Sequence, residues 1–232
     1  MPKRDRDSLN FLLIASAMTI ILWFIPMAFV LVYPLRLFVT FIHEGGHALA
    51  ALITLGSVHH MIVYPNASGE TLTIGGIAPI IASAGYLTST AYGASLLVLC
   101  RNGLNAKPVL ILTAGLILIL TAFFSVNTFT LITGILLSAG IILIAIWSSK
   151  RVAHFFLSFL AVQCCLNALF DLKTLFLISA MSDSHSDARA MQGMTFIPST
   201  VWAIFWLAIS VITLLFALRT HYSSNNNKGF SI

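Results

Sequence analysis

Long apolar runs separated by short polar stretches make up almost the whole chain. Each run is close to or above the length of about 20 residues that a helix needs to cross the hydrocarbon core of a bilayer. The runs are Leu9–Val32, Leu35–Leu55, Ala78–Cys100, Val109–Ser125, Thr128–Trp147, Val152–Ala180 and Pro198–Leu218. This pattern predicts an all-α polytopic membrane protein that forms a single integral membrane domain over residues 1–232.

Basic residues flank these runs and indicate how the chain is threaded, because Lys and Arg concentrate in cytoplasmic loops. The basic groups are Lys3, Arg4 and Arg6, then Arg101 and Lys107, then Lys150 and Arg151, and finally Arg219 and Lys228. Six crossings bring all of them to one side if one segment within residues 35–77 re-enters or stays peripheral. We therefore expect about six transmembrane helices, with seven as the alternative, and a cytoplasmic N-terminus.

Residues 56–77 interrupt the helical pattern. Two short stretches rich in β-branched or aromatic residues, 61–64 and 70–74, flank Pro65–Gly69, whose composition is typical of a turn. We expect a short membrane-associated β-hairpin, which must lie at the interface or line a wet cavity because open strand edges cannot face lipid. The other polar stretches are predicted to be an N-terminal tail (1–8), an extramembrane loop (181–197) and a C-terminal tail (221–232).

The composition excludes most soluble classes of protein. Charged residues are 8% of the chain and apolar residues 59%, whereas a soluble domain carries about 25% charged residues. In a soluble protein the net charge of +5 would suggest a nucleic-acid partner, but here the basic residues lie between apolar runs and set the topology. We therefore expect membrane lipid, and no nucleic acid, among the partners.

One apolar run carries the motif His43-Glu44-Gly45-Gly46-His47, which matches H-E-x-x-H. Four residues are about one helical turn, so the two histidines share a helix face and can bind one zinc ion. Glu44 lies beside that face, where it can act as the general base for a zinc-activated water and pass the proton to a leaving amine. The chain has only seven His, so chance produces the pattern roughly 0.002 times. The alternative is a polar cluster that binds a neighbouring helix.

A zinc peptidase centre of this kind needs a third protein ligand. Among the acidic residues only Glu44 and Asp171 fall within apolar runs, so we predict Asp171 as that ligand. Gln163, Asn167 and Asp171 are spaced four residues apart and form a polar stripe on one helix face. Asn167 would then orient the carboxylate or bind substrate, with Gln163 supporting it from deeper in the membrane. The alternative is that Lys173 neutralises Asp171 near the membrane surface.

Small residues near the motif predict close packing of helices. Gly45 and Gly46 would let a second helix or an extended substrate approach the metal. Gly85, Ser89 and Gly93 repeat every four residues, which is the spacing of a face suited to packing against the metal-bearing helix.

Two other polar segments are assigned no chemistry. His59 and His60 begin the hairpin and are expected to be interfacial residues rather than ligands. Asp183-Ser184-His185-Ser186-Asp187 could bind a cation, but its composition is more typical of a solvated loop.

Taken together, these motifs resemble a known family. His43–His47, then Ser83-Ala84-Gly85-Tyr86, then Asn167–Asp171 occur in the order found in site-2-protease-like zinc metallopeptidases. Residues 35–215 are similar to the compact peptidase M50B-like branch, and Ser186-Asp187-Ala188 also looks like that branch. The resemblance implies an active site within the membrane, with His43, His47 and Asp171 as zinc ligands and Glu44 as the general acid and base. It also implies that the hairpin pairs with an unwound substrate as an added strand.

The residues and the resemblance together predict an intramembrane zinc metalloprotease with one Zn²⁺ per chain. It would hydrolyse peptide bonds of membrane-embedded or membrane-adjacent segments, so its partner would be a membrane protein substrate. The alternative is a non-proteolytic subunit or assembly factor of a larger membrane complex that retains the zinc site. The intact Glu44 argues against this alternative, because a structural zinc site needs no base. A transporter is a weaker alternative, since only Glu44 and Asp171 are available for a charge relay.

Overall fold

The protein is mostly helical, with one small hairpin. The computed structural model describes residues 3–24, 29–101, 105–181 and 186–223. At positions 3–9, 20, 22–24, 29, 31, 101, 167–181 and 221–223 it describes the helix but not the side chains. The helices in this part of the chain are α1 (Lys3–Phe24), α2 (Phe29–Ile53), α3 (Ala78–Arg101), α4 (Ala106–Phe124), α5 (Thr128–Trp147), α6 (Lys150–Met181), α7 (Asp187–Thr195) and α8 (Ser199–Ser223). The strands are β1 (Ser57–Val63) and β2 (Gly69–Ile74).

Among the described residues, three helices are long and apolar enough to cross a membrane: α4, α5 and residues Ser199–Thr220 of α8. The first two begin where the sequence supplies a cap. The side chain of Asn105 accepts a hydrogen bond from the amide of Lys107, and that of Asn127 accepts one from the amide of Thr130. The count of about six crossings and the cytoplasmic N-terminus stay predictions.

Helix α2 differs from its prediction at its N-terminal end. The apolar runs place a break at Pro34, but the helix begins at Phe29 and continues through this proline. A proline at this position removes one helical hydrogen bond, and its ring crowds the carbonyl of the preceding turn. Tertiary contacts hold the segment, because the hydroxyl of Tyr33 donates to the carbonyl of Pro65 at 2.6 Å and Phe38 is fully buried. Tertiary packing therefore overrides the local preference for a break.

Helices α3 and α6 form the centre of the packing. α6 contacts α1, α3, α4 and α8, while α3 contacts α2, α6 and α8. Large, fully buried side chains of this core come from α2, α3, α4 and α6: Phe38, Phe41, Leu96, Leu110, Ile117, Leu157 and Leu160. Because α2 also contacts both strands, its polar motif lies between α3 and the hairpin.

The predicted hairpin is confirmed. Its strands pair antiparallel from Ser57 with Ile74 to Val63 with Gly69, with an irregularity between Val58 and His60. β1 begins earlier than the composition indicates and includes His59 and His60. In the turn, the amide of Tyr64 donates to the carbonyl of Ser68 at 2.8 Å, and Ala67 has a positive φ of 64°.

β1 is attached to the junction between α4 and α5. Met61 forms a parallel bridge with Ser125. The amide of Val63 donates to the hydroxyl of Thr130 at 2.7 Å, and that hydroxyl lies 3.3 Å from the carbonyl of Val63. Met61 and Val63 are both fully buried. In the described part of the chain, β2 pairs only with β1 and so has an open outer edge.

Residues 187–195, which the sequence places in a loop, form the short helix α7. The side chain of Ser186 caps it by accepting a hydrogen bond from the amide of Arg189. Ala188 and Met191 occupy one face and are buried against Ala203 and Trp206 of α8 and against α3. Two apolar residues at i and i+3 are too short a pattern to predict a helix from sequence.

Candidate metal centre

The two histidines of the motif lie on one face of α2, as their spacing predicts. Their Nε2 atoms are 3.1 Å apart. The Nδ1 atom of His47 is 2.7 Å from the carbonyl oxygen of Ile81 in α3. A carbonyl oxygen can only accept, so Nδ1 carries the hydrogen and Nε2 keeps its lone pair for a metal.

Asp187 completes the cluster. Its Oδ2 atom is 3.5 Å from Nε2 of His43 and 3.4 Å from Nε2 of His47. The prediction of a solvated loop is therefore wrong for this residue, because the docking of α7 against α3 and α8 brings the carboxylate to α2. Burial raises the pKa of Asp187, but the adjacent imidazoles of His43 and His47 lower it by more, so the pKa lies well below its usual value. The carboxylate is therefore ionised at neutral pH.

The donor atoms fit a divalent metal. Two imidazole nitrogens and one carboxylate oxygen are typical zinc ligands, and in a tetrahedral site such atoms lie about 3.3 Å from one another. The three separations here are 3.1, 3.4 and 3.5 Å. Three protein ligands also leave one coordination position open, which distinguishes catalytic from structural zinc sites. Within the described residues, His43, His47 and Asp187 are the group that could hold a metal ion.

Helix α3 forms one wall of this centre. A Cβ atom at Gly85 would meet Nε2 of both histidines, so only glycine fits here. The next residue, Tyr86, places its ring edge against His43 at a centroid distance of 4.7 Å and stacks on Trp206 of α8 at 5.5 Å. Gly46 of α2 faces the carbonyl of Ala84. The predicted close approach of a second helix is therefore confirmed.

The other small residues serve other contacts. Gly45 faces Leu120 of α4, and Gly93 faces Cys164 and Cys165 of α6 rather than α2. Of the predicted packing face of α3, Gly85 therefore contacts the metal-bearing helix α2, whereas Gly93 contacts α6.

Glu44 lies beside the cluster and beneath the hairpin. The residue is 4% exposed. Its Oε2 atom accepts a hydrogen bond from the hydroxyl of Thr71 at 2.7 Å. Gly69, at the start of β2, lies so close that a Cβ atom there would overlap the carboxylate. The candidate base is thus in a largely dry site, with one hydroxyl donor from the hairpin.

Comparison with known families agrees with this geometry. A family model, Peptidase M50B-like, matches residues 13–217. The chain belongs to the peptidase M50B-like family. No curated protein and no solved structure matches the chain. Membership of a peptidase family, together with the possible metal site, indicates a metalloprotease.

The remaining predicted site residues of this M50B-like protein lie on α6. Gln163 is fully buried and donates its amide to the hydroxyl of Thr19 in α1 at 2.8 Å. Asn167 and Asp171 fall in α6, but their side chains lie outside the described residues. Their roles, including Asp171 as a metal ligand, stay predictions, while the described part of the structure supplies Asp187 as the carboxylate of the centre.

Three residues of the M50B-like site were not predicted to act there. Asp187 carried two signals: the Ser186 cap preceding it and the similarity of Ser186-Asp187-Ala188 to the family. Tyr86 belongs to the Ser83-Ala84-Gly85-Tyr86 motif, whose small residues predict packing and no chemistry. Thr71 carried no signal, because its contact with Glu44 joins residues 27 positions apart across two elements.

Proposed function

We propose that the protein is an intramembrane zinc metalloprotease that hydrolyses peptide bonds of membrane-embedded or membrane-adjacent protein segments. The observation that carries this proposal is the arrangement of His43, His47 and Asp187, whose donor atoms are 3.1–3.5 Å apart. The buried carboxylate of Glu44 is adjacent to them. Membership of the peptidase M50B-like family supports the same activity.

His43, His47 and Asp187 would hold the zinc ion. Zinc bound in such a site lowers the pKa of a water molecule and polarises a substrate carbonyl. Glu44 would take a proton from the attacking water and transfer it to the leaving amine, so that a C–O bond forms as the C–N bond breaks. Tyr86 and the carbonyl of Ile81 would fix the imidazole rings, since they contact His43 and His47 respectively.

The hairpin offers a route for the substrate. β1 is attached to the α4–α5 junction, and the outer edge of β2 is open in the described part of the structure. An extended peptide could add to that edge through main-chain hydrogen bonds. β2 also contacts Glu44, so a peptide along it would pass near the proposed base. A helical substrate must first unwind, which favours segments containing helix-weakening residues.

Zinc content of the detergent-purified protein is the first test. We expect about one zinc per chain in the wild type and in Glu44→Gln, because Glu44 is not a ligand. We expect little or none in His43→Ala and His47→Ala. Wild-type protein without zinc, or zinc retained in both histidine variants, would refute the proposed centre.

Hydrolysis is tested separately with a single-span reporter whose transmembrane segment is interrupted by Gly and Pro. We expect cleavage by the wild type and none by Glu44→Gln, which keeps the zinc but lacks the base. Crosslinking Glu44→Gln protein to its substrates in membranes then identifies what it binds. A wild-type protein that holds zinc but cleaves neither the reporter nor any crosslinked protein would favour the alternative of a non-proteolytic membrane-complex subunit.

A further inference from the structure

The inner face of β2 meets the proposed base directly. The hydroxyl of Thr71 is 2.7 Å from Oε2 of Glu44 and 3.3 Å from its backbone carbonyl. Gly69, two residues earlier on the same strand face, lies against the same carboxylate. The hairpin therefore determines which way the carboxylate can point.

The strand that carries Thr71 is held independently of Glu44. Thr71 pairs with Met61 of β1, and Met61 is buried and bridged to Ser125. The next inward residue of β1, Val63, is hydrogen-bonded to Thr130 of α5. Because the hairpin is attached to the α4–α5 junction, the position of the Thr71 hydroxyl does not depend on Glu44. The longer side chain of Glu44 therefore adopts the rotamer that reaches this hydroxyl.

A hydrogen bond from this fixed hydroxyl matters because Glu44 is almost completely buried. A carboxylate in such a site has few other donors, and hydrogen bonds to charged groups are stronger and shorter than neutral ones. The bond occupies Oε2 and restricts rotation of the carboxylate. The second oxygen, Oε1, is the carboxylate atom nearest to Gly69, so the hairpin contacts both oxygens of Glu44.

We propose that Thr71 is a positioning residue that holds Glu44 in the orientation needed for proton transfer. This inference rests on the proposed function, since it assigns Thr71 a role through Glu44. This role depends on the hydroxyl group of Thr71 and not only on the strand that carries it. Removing the hydroxyl should therefore impair turnover while leaving zinc binding and the fold intact.

The test compares Thr71→Val, which keeps the shape but removes the hydroxyl, with Thr71→Ser, which keeps the hydroxyl. Thr73→Val is the matched control, because Thr73 lies on the same face of the same strand. We expect Thr71→Val to lower kcat by about 10-fold or more, since mutating groups that orient the ligands of a metal site costs about 10- to 100-fold in affinity or activity. KM should change by less than about twofold, and Thr71→Ser should restore most of kcat. Thr73→Val should resemble the wild type.

Two measurements do not depend on hydrolysis. Zinc content should be the same in all of these variants. In thermal unfolding, Thr71→Val should lower the midpoint temperature more than Thr73→Val does. When both substitutions are made in a Glu44→Ala background, the two midpoints should differ no longer, because the hydrogen-bond acceptor is absent. A purely structural Thr71 would lower the midpoint but leave kcat of the folded protein unchanged.

Equal kcat for Thr71→Val and Thr73→Val, in a protein whose wild type binds zinc and cleaves the reporter, would overturn this inference alone. Failure of Thr71→Ser to recover activity would also count against it. A wild type that binds no zinc and cleaves nothing would overturn the proposed function as well, so the two failures are distinguishable.

Discussion

Gly85→Ala tests whether the two Nε2 atoms are metal ligands. The added methyl group would meet Nε2 of both His43 and His47. Ordinary contact needs about 3.5 Å, so either α3 or the imidazole rings must move by roughly 1 Å. Zinc sites keep their ligand distances within about 0.2 Å, so this movement removes the binding geometry. We expect zinc affinity to fall by about 10- to 100-fold, the range found when groups that orient ligands are lost.

Gly93→Ala is the control on the same helix. Its added Cβ atom would lie 2.8 Å from Sγ of Cys165 and 2.9 Å from Cβ of Cys164, so it is crowded as well, but by α6. Both substitutions gain about 1 kcal/mol of helix propensity and cost about 1–3 kcal/mol of overpacking. Their effects on the free energy of unfolding should therefore be similar, whereas only Gly85→Ala should affect the metal.

Chelator competition in detergent measures the zinc affinity of each variant, and thermal unfolding measures its stability. We expect Gly85→Ala to bind zinc weakly and Gly93→Ala to bind it as tightly as the wild type. The two variants should have similar midpoint temperatures of unfolding. If Gly85→Ala binds zinc as tightly as the wild type, the two Nε2 atoms do not hold the metal in the arrangement described above.

Three further results are expected. Asp187→Ala should lose zinc while Asp171→Ala retains it, as measured by metal content; the reverse pattern would make Asp171 the third ligand. Gly69→Ala should lower kcat about 10-fold or more at unchanged zinc content, because its Cβ atom displaces the Glu44 carboxylate; unchanged kcat would contradict that contact. Thr130→Val should leave the buried amide of Val63 without an acceptor, which lowers the free energy of unfolding by about 1–3 kcal/mol. Hydrogen exchange in the hairpin should then be faster; exchange at the wild-type rate would show that this attachment is not needed.

The parts of the site that the sequence predicts are local. His43, Glu44 and His47 are separated by at most one helical turn, so their relation follows from helix geometry alone. The hairpin is likewise local, because its turn residues and its short strands adjoin one another. Both features are present in the structure in the predicted places.

The parts that the sequence does not predict depend on packing between distant segments. Asp187 reaches α2 because Ala188 and Met191 dock against α8 and α3, and neither hydropathy nor elimination indicates where a short polar segment will dock. Elimination considers only the acidic residues within apolar runs, so it indicates Asp171 and passes over Asp187, which lies outside those runs. The role of Asp171 stays a prediction. The continuation of α2 through Pro34 is a similar case, in which tertiary contacts outweigh a local preference.

The docking of α7 also has a consequence for biosynthesis. Asp187 is synthesised 140 residues after His47, and α7 is held in place partly by Ala203 and Trp206, which follow it in α8. A growing chain therefore carries the two histidines and Glu44 long before the described carboxylate can join them. Until α8 is synthesised and packs, the nascent chain lacks part of the surface that holds Asp187 beside the two histidines.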